Sequence, residues 1–205
     1  MEVYFKVKSI ESKKLFGVGF YNDENGNHKI DSSLSSYNTW HGMLMRCYCK
    51  TFNSTRETYQ DCTVCDEWHN LFIFDGWYTK NYYAIPGERM ELDKDIIHKG
   101  NKVYSPENCV FVPQRINKLI VNAKRIRGEF PIGVYFDKQK QRFIANMNYE
   151  GKNLKIKHCR LPIEAFCWYK LYKEDYIKQV ADEYRDLIPK CLYEALYNWT
   201  VEITD

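Results

Sequence analysis

Residues 133–159 alternate apolar and polar side chains over three short runs, GVYFD, QRFIANMNY and KNLKIKHC, joined by the polar turns DKQKQ and EGKN. This alternation predicts three antiparallel strands in a meander. A three-stranded sheet gains stability by packing one apolar face against a helix. The following segment offers the cover. A helix is predicted from Leu161, with Pro162 at its first position, Glu164 in its first turn and Ala165, Phe166, Trp168, Tyr169 and Tyr172 as apolar positions. In QRFIANMNY, Phe143, Ala145, Met147 and Tyr149 then face the helix, and Arg142, Ile144, Asn146 and Asn148 project away from it. In the next strand Lys155 and Lys157 share a side opposite Leu154 and Ile156. KEDYIKQVADEYRDLI and CLYEALYNWTVEI are expected to finish the domain as helix and tail.

The first half of the chain has a different pattern. VYFKVKSIESKKLFGVGFY, residues 3–21, reads as one or two strands with Gly17 and Gly19 near a turn or bulge. Tyr37, Trp40, Leu44 and Cys47 in YNTWHGMLMRCY fall at helical spacing, with Ser35 or Ser36 available as a cap. A second helix is expected from Asp66 to about Lys80, before the break at Pro86-Gly87. ELDKDII reads as a strand, KGNK as a turn, CVFVP as a second strand, and PQRINKLIVNAKR as a helix with Pro113 in its first turn. The expected fold is α+β, with an aromatic-rich domain over residues 1–125 and a three-stranded sheet packed on a helix over 126–205.

The net charge of +3 conceals a strong asymmetry. Residues 1–93 carry 10 Lys/Arg and 13 Asp/Glu, a balance of −3; residues 94–160 carry 15 and 5, a balance of +10; residues 161–205 carry 5 and 9, a balance of −4. A basic block between acidic ones suits a surface that meets a polyanion. No apolar stretch approaches the roughly 20 residues that span a bilayer, and the opening MEVYFKVKSIESKK is not a signal peptide, so a cytoplasmic protein with no membrane partner is expected. Most of the 8 cysteines are then read as buried thiols, with one alternative: Cys47, Cys49, Cys62 and Cys65, in RCYCKTF and DCTVC, as a closed structural zinc site.

A compact metal nuclease needs oxygen or imidazole donors to hold a divalent ion beside the scissile phosphate, and a base to activate water. Asp93, Asp95, Asn108 and Asn117 are the oxygen-bearing candidates. Asp93 and Asp95 are two apart in the expected strand and point one way, with Lys94 opposite, so both aspartates are placed to share Mg²⁺ with a group on the following helix. The alternative is an acidic strand edge paired with Lys99, Lys102 or Arg115.

YNTWHGMLMRCY, TVCDEWHNLFIFDGWY, LDKDI, YSPENCVFVP and Asn117, within residues 37–117, resemble the small ββα-metal nuclease unit of the HNH class, in the variety found in phage and intron-type homing endonucleases. The resemblance implies Asn117 as the helix-borne metal ligand, Asn108 as the residue that orients the catalytic loop, and Asp93 at the acidic position. Lys94 stands where the general-base histidine is expected; His98, four residues on, is a second group that can reach the phosphate. Residues 131–185 resemble the plant ethylene-response-factor type of DNA-binding domain, which also occurs in phage nucleases, although KHCRLPIEAF lacks the Gly-aromatic junction that often precedes its helix.

These resemblances imply a DNA endonuclease that uses Mg²⁺ or Mn²⁺ on double-stranded DNA, in a bacterial host cytoplasm if phage-encoded. Arg142, Asn146, Asn148, Lys155 and Lys157 would face the bases, and Lys138, Lys140 and Lys152, in the turns, the phosphates. Two alternatives remain open: a DNA-binding protein on a catalytically silent scaffold, since a protonated lysine has no lone pair to accept water's proton, and a protein-binding chain that uses some of its 17 tyrosines.

Overall fold

The computed structural model describes residues 14–21, 35–54, 59–120 and 128–205. The strands expected over 3–13 and the end of the helix expected over 121–125 lie outside the described residues. In chain order the elements are α1 (Ser35–Tyr48), α2 (Lys50–Asn53), β1 (Thr63–Val64), a 3-10 turn (Asp66–His69), α3 (Leu71–Asn81), β2 (Met90–Asp93), β3 (Val103–Tyr104), β4 (Val110–Pro113), α4 (Gln114–Ile120), β5 (Val134–Asp137), β6 (Arg142–Tyr149), β7 (Lys152–Cys159), α5 (Pro162–Glu183) and α6 (Lys190–Tyr197). The fold is mixed α+β and forms two compact units, Met1–Tyr83 with His98–Phe111, and Ala84–Ile97 with Val112–Asp205.

The first unit is built on aromatic packing. Trp40, Met43 and Leu44 of α1 are fully buried, as are Trp68 and Phe74. The indole of Trp40 satisfies its polar edge by donating to the Trp68 carbonyl at 2.7 Å. Gly19 comes so close to α1 that a Cβ there would lie 2.4 Å from Leu44 Cδ1. The expected turn is present as Phe16-Gly17, with both residues at positive φ and Leu15 bridged to Gly19. The helix expected from Asp66 is interrupted at Asn70, whose Oδ1 accepts the Phe72 N–H at 2.9 Å and caps α3. The backbone on either side is diverted to Phe20, which donates to His69 O and accepts from Leu71 N. β1 and β3 pair in parallel.

In the second unit β5, β6 and β7 form an antiparallel meander covered by α5. Pro162 starts α5 as expected, and Glu164 reaches back to accept the N–H groups of Arg160 and Leu161. The buried stripe of α5 is Ala165, Phe166, Tyr169, Tyr176, Ile177, Val180 and Ala181. Trp168 and Tyr172, expected in that stripe, are 38 % and 44 % exposed. The C-terminal tail is clamped to α5 at Val201, whose N–H donates to Glu174 and whose carbonyl accepts from Lys170. β2 pairs with β4, and α4 lies against β2. The units do not divide at 125/126, where the sequence pattern changes, because specific contacts hold Ala84–Ile97 and α4 to the C-terminal half. Tyr184 Oη donates to Glu88 at 2.5 Å, and Arg115 pairs with Glu183 at 2.6 Å. Among the described residues no helix is long and apolar enough to cross a membrane.

The sheet enters against α5 at Gly133, where φ is +73° and a Cβ would fall 2.0 Å from the Tyr169 ring. Both constraints select glycine. Gly133→Ala should cost about 2–4 kcal/mol, from overpacking and the positive φ together. Urea denaturation is the check, and the cost should shrink in a Tyr169→Ala background, where the ring is absent.

Candidate functional site

β2 does not continue as far as the alternation of ELDKDII suggests; it ends at Asp93. The Asp93 carboxylate turns back on its own chain and accepts the N–H groups of Asp95 at 2.9 Å and Ile96 at 2.8 Å. Those donors are thereby taken from any further ladder. The expected arrangement, two aspartates on one side and Lys94 on the other, is therefore not found. Lys94 is only 5 % exposed, and its Nζ lies 3.5 Å from Asp95 Oδ1. Burial, followed by the charge of Asp95, pushes the Asp93 carboxyl up to about 6.

Asn117 lies on α4, as expected, and its side chain meets Glu91. Its Nδ2 donates to Glu91 Oε2 at 2.7 Å, while Gln114 Nε2 donates to Glu91 Oε1 at 2.8 Å. The start of α4 is fixed to the same strand segment by the Gln114 N–H, which donates to Arg89 O. Burial of Glu91 works to raise its pKa, but Gln114, Asn117 and the charge of Arg89 outweigh it and hold the carboxyl below its usual range. Glu91 and Gln114 were not among the residues singled out from sequence. Their signals were present: Glu91 is two residues before Asp93 and shares its side of β2, and Gln114 and Asn117 are i, i+3 on one helix.

His98 and Asn108 belong to the first unit. His98 is exposed and begins a turn closed by the Asn101 N–H on its carbonyl. Asn108 Nδ2 donates to Val103 O at 3.4 Å, and Asn101 Nδ2 donates to the same carbonyl at 2.8 Å, so the two asparagines tie the loop around β3. Cys62 is buried, and Cys47, Cys49 and Cys65 are half-buried. Burial pushes the Cys65 thiol up to about 11. Among the described residues no three His, Cys, Asp or Glu side chains converge in a way that could hold a metal ion.

On the sheet, Arg142, Asn148, Lys138, Lys140, Lys152, Lys155 and Lys157 are exposed and Asn146 is half-buried. Pairing places Lys155 opposite Asn146, but a register shift between Ala145 and Asn146 places Lys157 opposite Ala145. The two lysines, expected on one side, are therefore parted by a bulge. Lys155 joins the Arg142 side, whereas Lys157 turns to the helix side, with Nζ 5.3 Å from the Trp168 ring centroid. Ile144, on the Arg142 side by alternation, is fully buried, so that side is not uniformly solvent-facing. The Asp137 carboxylate accepts the N–H groups of Gln139 and Lys140, which sets the first basic turn. The second turn runs through Glu150 and Gly151, both at positive φ, and Asn148 Oδ1 accepts the Gly151 N–H.

Comparison with known proteins finds no matching family model, no matching curated protein and no matching solved structure.

The Asp93 environment has a pH signature. Because the folded pKa lies near 6 and the ordinary value is 3.8, the native state holds the proton more tightly. The stability it contributes is intact below the unfolded pKa and is lost as pH rises through the folded one. Asp93→Asn keeps the acceptor oxygen without the titration. Relative to the unsubstituted chain, the variant should gain stability between pH 4 and pH 7, read from urea midpoints; a difference independent of pH refutes the environment described.

Proposed function

We propose that the chain is a DNA endonuclease that hydrolyses phosphodiester bonds with Mg²⁺ or Mn²⁺, with a nuclease unit of the HNH class on β2, β4 and α4 and an ethylene-response-factor-type DNA-binding domain on β5–β7 and α5. The observation that carries the cleavage reading is the strand-to-helix pair of Glu91 and Asn117. A carboxylate and an amide oxygen are hard donors suited to these cations; Asn117 meets the carboxylate through its NH2 group, so holding an ion there would require the amide to turn its oxygen toward it. Glu91, Asn117 and Asp93 are the residues of this reading that would hold the ion, which supplies charge neutralisation at the phosphate and a more acidic water. The chain's own part is to keep the Glu91 carboxylate ionised, through the Gln114 and Asn117 donors, and to keep a cation, Lys94, next in sequence to Asp93.

Support for double-stranded DNA as partner is the set of exposed cations on a rigid sheet and its turns: Lys138, Lys140, Arg142, Lys152 and Lys155. Such groups neutralise phosphates and give salt-sensitive affinity. A second reading, DNA binding without cleavage, is favoured by the burial of Lys94 beside Asp95 at the position where a base is required, since an ion-paired ammonium has no lone pair. In either reading a cytoplasmic setting fits the substrate.

The test is end-labelled duplex DNA incubated with the protein in Mg²⁺, Mn²⁺ or chelator and resolved on a denaturing gel. Discrete metal-dependent products are expected, and Glu91→Gln and Asn117→Ala should each slow their formation by about 100-fold or more while DNA binding persists. Intact DNA under every condition, with salt-sensitive binding retained, establishes the second reading instead. Lys94→Ala separates an electrostatic role from none.

A further inference from the structure

Arg46, on α1 of the first unit, is a half-buried cation with unusual company. Its guanidinium carbon lies 5.8 Å from the Tyr59 ring centroid and 5.5 Å from that of Tyr104. Its Nε donates to Tyr104 Oη at 3.1 Å. Among the described residues it forms no ion pair with a carboxylate, unlike the half-buried Lys170, whose Nζ lies 3.2 Å from Glu174. Aromatic faces attract a cation by about 0.5–2 kcal/mol each but do not neutralise it, and a charge taken from water without a counter-ion is costly. One of the five guanidinium N–H groups is used by Tyr104, which leaves the Nη edge to donate elsewhere. One helical turn earlier stands Gly42, where a Cβ would come to 3.6 Å from Arg46 Nη1. A larger side chain there would cover that edge; glycine leaves it open.

We propose that Arg46 is a phosphate-binding residue, its guanidinium plane fixed by Tyr59 and Tyr104 and its Nη edge left open by Gly42, and that it takes the oxyanion of a DNA backbone phosphodiester. The planar fork matches two phosphate oxygens at once, which a lysine at this position would not do. The choice of DNA as the phosphate source rests on the function proposed above; the phosphate site itself does not.

The full chain is titrated with a short labelled duplex of arbitrary sequence over a series of KCl concentrations. Arg46→Met, which keeps an apolar stem between the rings, should reduce the slope of log Kobs against log [salt] by about 0.9, the loss of one phosphate contact. Arg46→Lys should keep the slope but bind more weakly, and Gly42→Leu, which retains the charge and covers Nη1, should also bind more weakly. An unchanged slope in Arg46→Met overturns the proposal. If Arg46→Met does not fold, Gly42→Leu decides, and unchanged affinity in that variant overturns it equally. Should the unsubstituted chain show no salt-sensitive DNA affinity, the proposed function fails and inorganic pyrophosphate becomes the probe. A thermal shift lost in Gly42→Leu and Arg46→Met then keeps the phosphate site with a different source, and no shift in any protein ends it.

Discussion

The candidate site depends on one latch at the end of α5. Glu183 takes the guanidinium of Arg115 at 2.6 Å, Tyr184 lies under the same guanidinium with its ring centroid 5.6 Å away, and the Tyr184 hydroxyl donates to Glu88 at 2.5 Å. Arg115 is on α4, and Glu88 leads into β2. The strand that carries Glu91 and the helix that carries Asn117 are thus both fastened to the helix that backs the basic sheet. Any single surface ion pair contributes little, but these contacts share partners. Loss of Arg115 would leave Glu183 without its cation and Tyr184 without a face to cover, so the network constrains more than the sum of its pairs.

Within that frame the charges near the end of β2 are arranged in two different ways. Glu91 is surrounded by amide donors and an arginine, which favour its ionised form. Asp93, two residues on, is half-buried, accepts two backbone N–H groups and has Asp95 as a like-charged neighbour, and the loss of solvent around its carboxyl dominates. The two carboxyls on one side of β2 therefore have pKa values pushed apart, a pattern that functional sites share with structural turns. Glu91 is the group kept anionic at neutral pH, and Asp93 also shapes the chain, because its oxygen ends the strand.

Much of the fold was legible because the sequence repeats the same instruction at several levels. The three alternating runs, the turns with Glu150-Gly151, and the Pro162 and Glu164 signals at the start of α5 all agree, and the meander on a helix is present. The interruption at Asn70 was hidden because DEWHNLFIFDGWY reads as one helix by composition; what breaks it is a backbone pairing with Phe20, some fifty residues earlier, which no local window contains. Tertiary context also decided the site. Asp93 and Asp95 share a side only if the strand continues, and a carboxylate that can accept its neighbours' N–H groups is what stops it. Glu91 escaped attention because an alternating strand gives a glutamate on either side equal standing until the helix that faces it is placed.

The bulge in the sheet has a similar local cause and a functional consequence. Period-2 alternation assigns Lys155 and Lys157 to one side, but one extra residue in β7 against β6 sends them to opposite sides. Lys157 then sets its ammonium over the ring of Trp168, which lies outside the buried stripe of α5. Lys155 is left opposite Asn146, in the row that also holds Arg142 and Asn148. A cation beside two amides and a guanidinium is a combination of point charge and paired donor-acceptor groups. Phosphate attraction requires only the charges, whereas discrimination between base edges requires the amides and the fork. By removing Lys157 from this row, the bulge lowers its charge without removing any of the groups able to read a sequence.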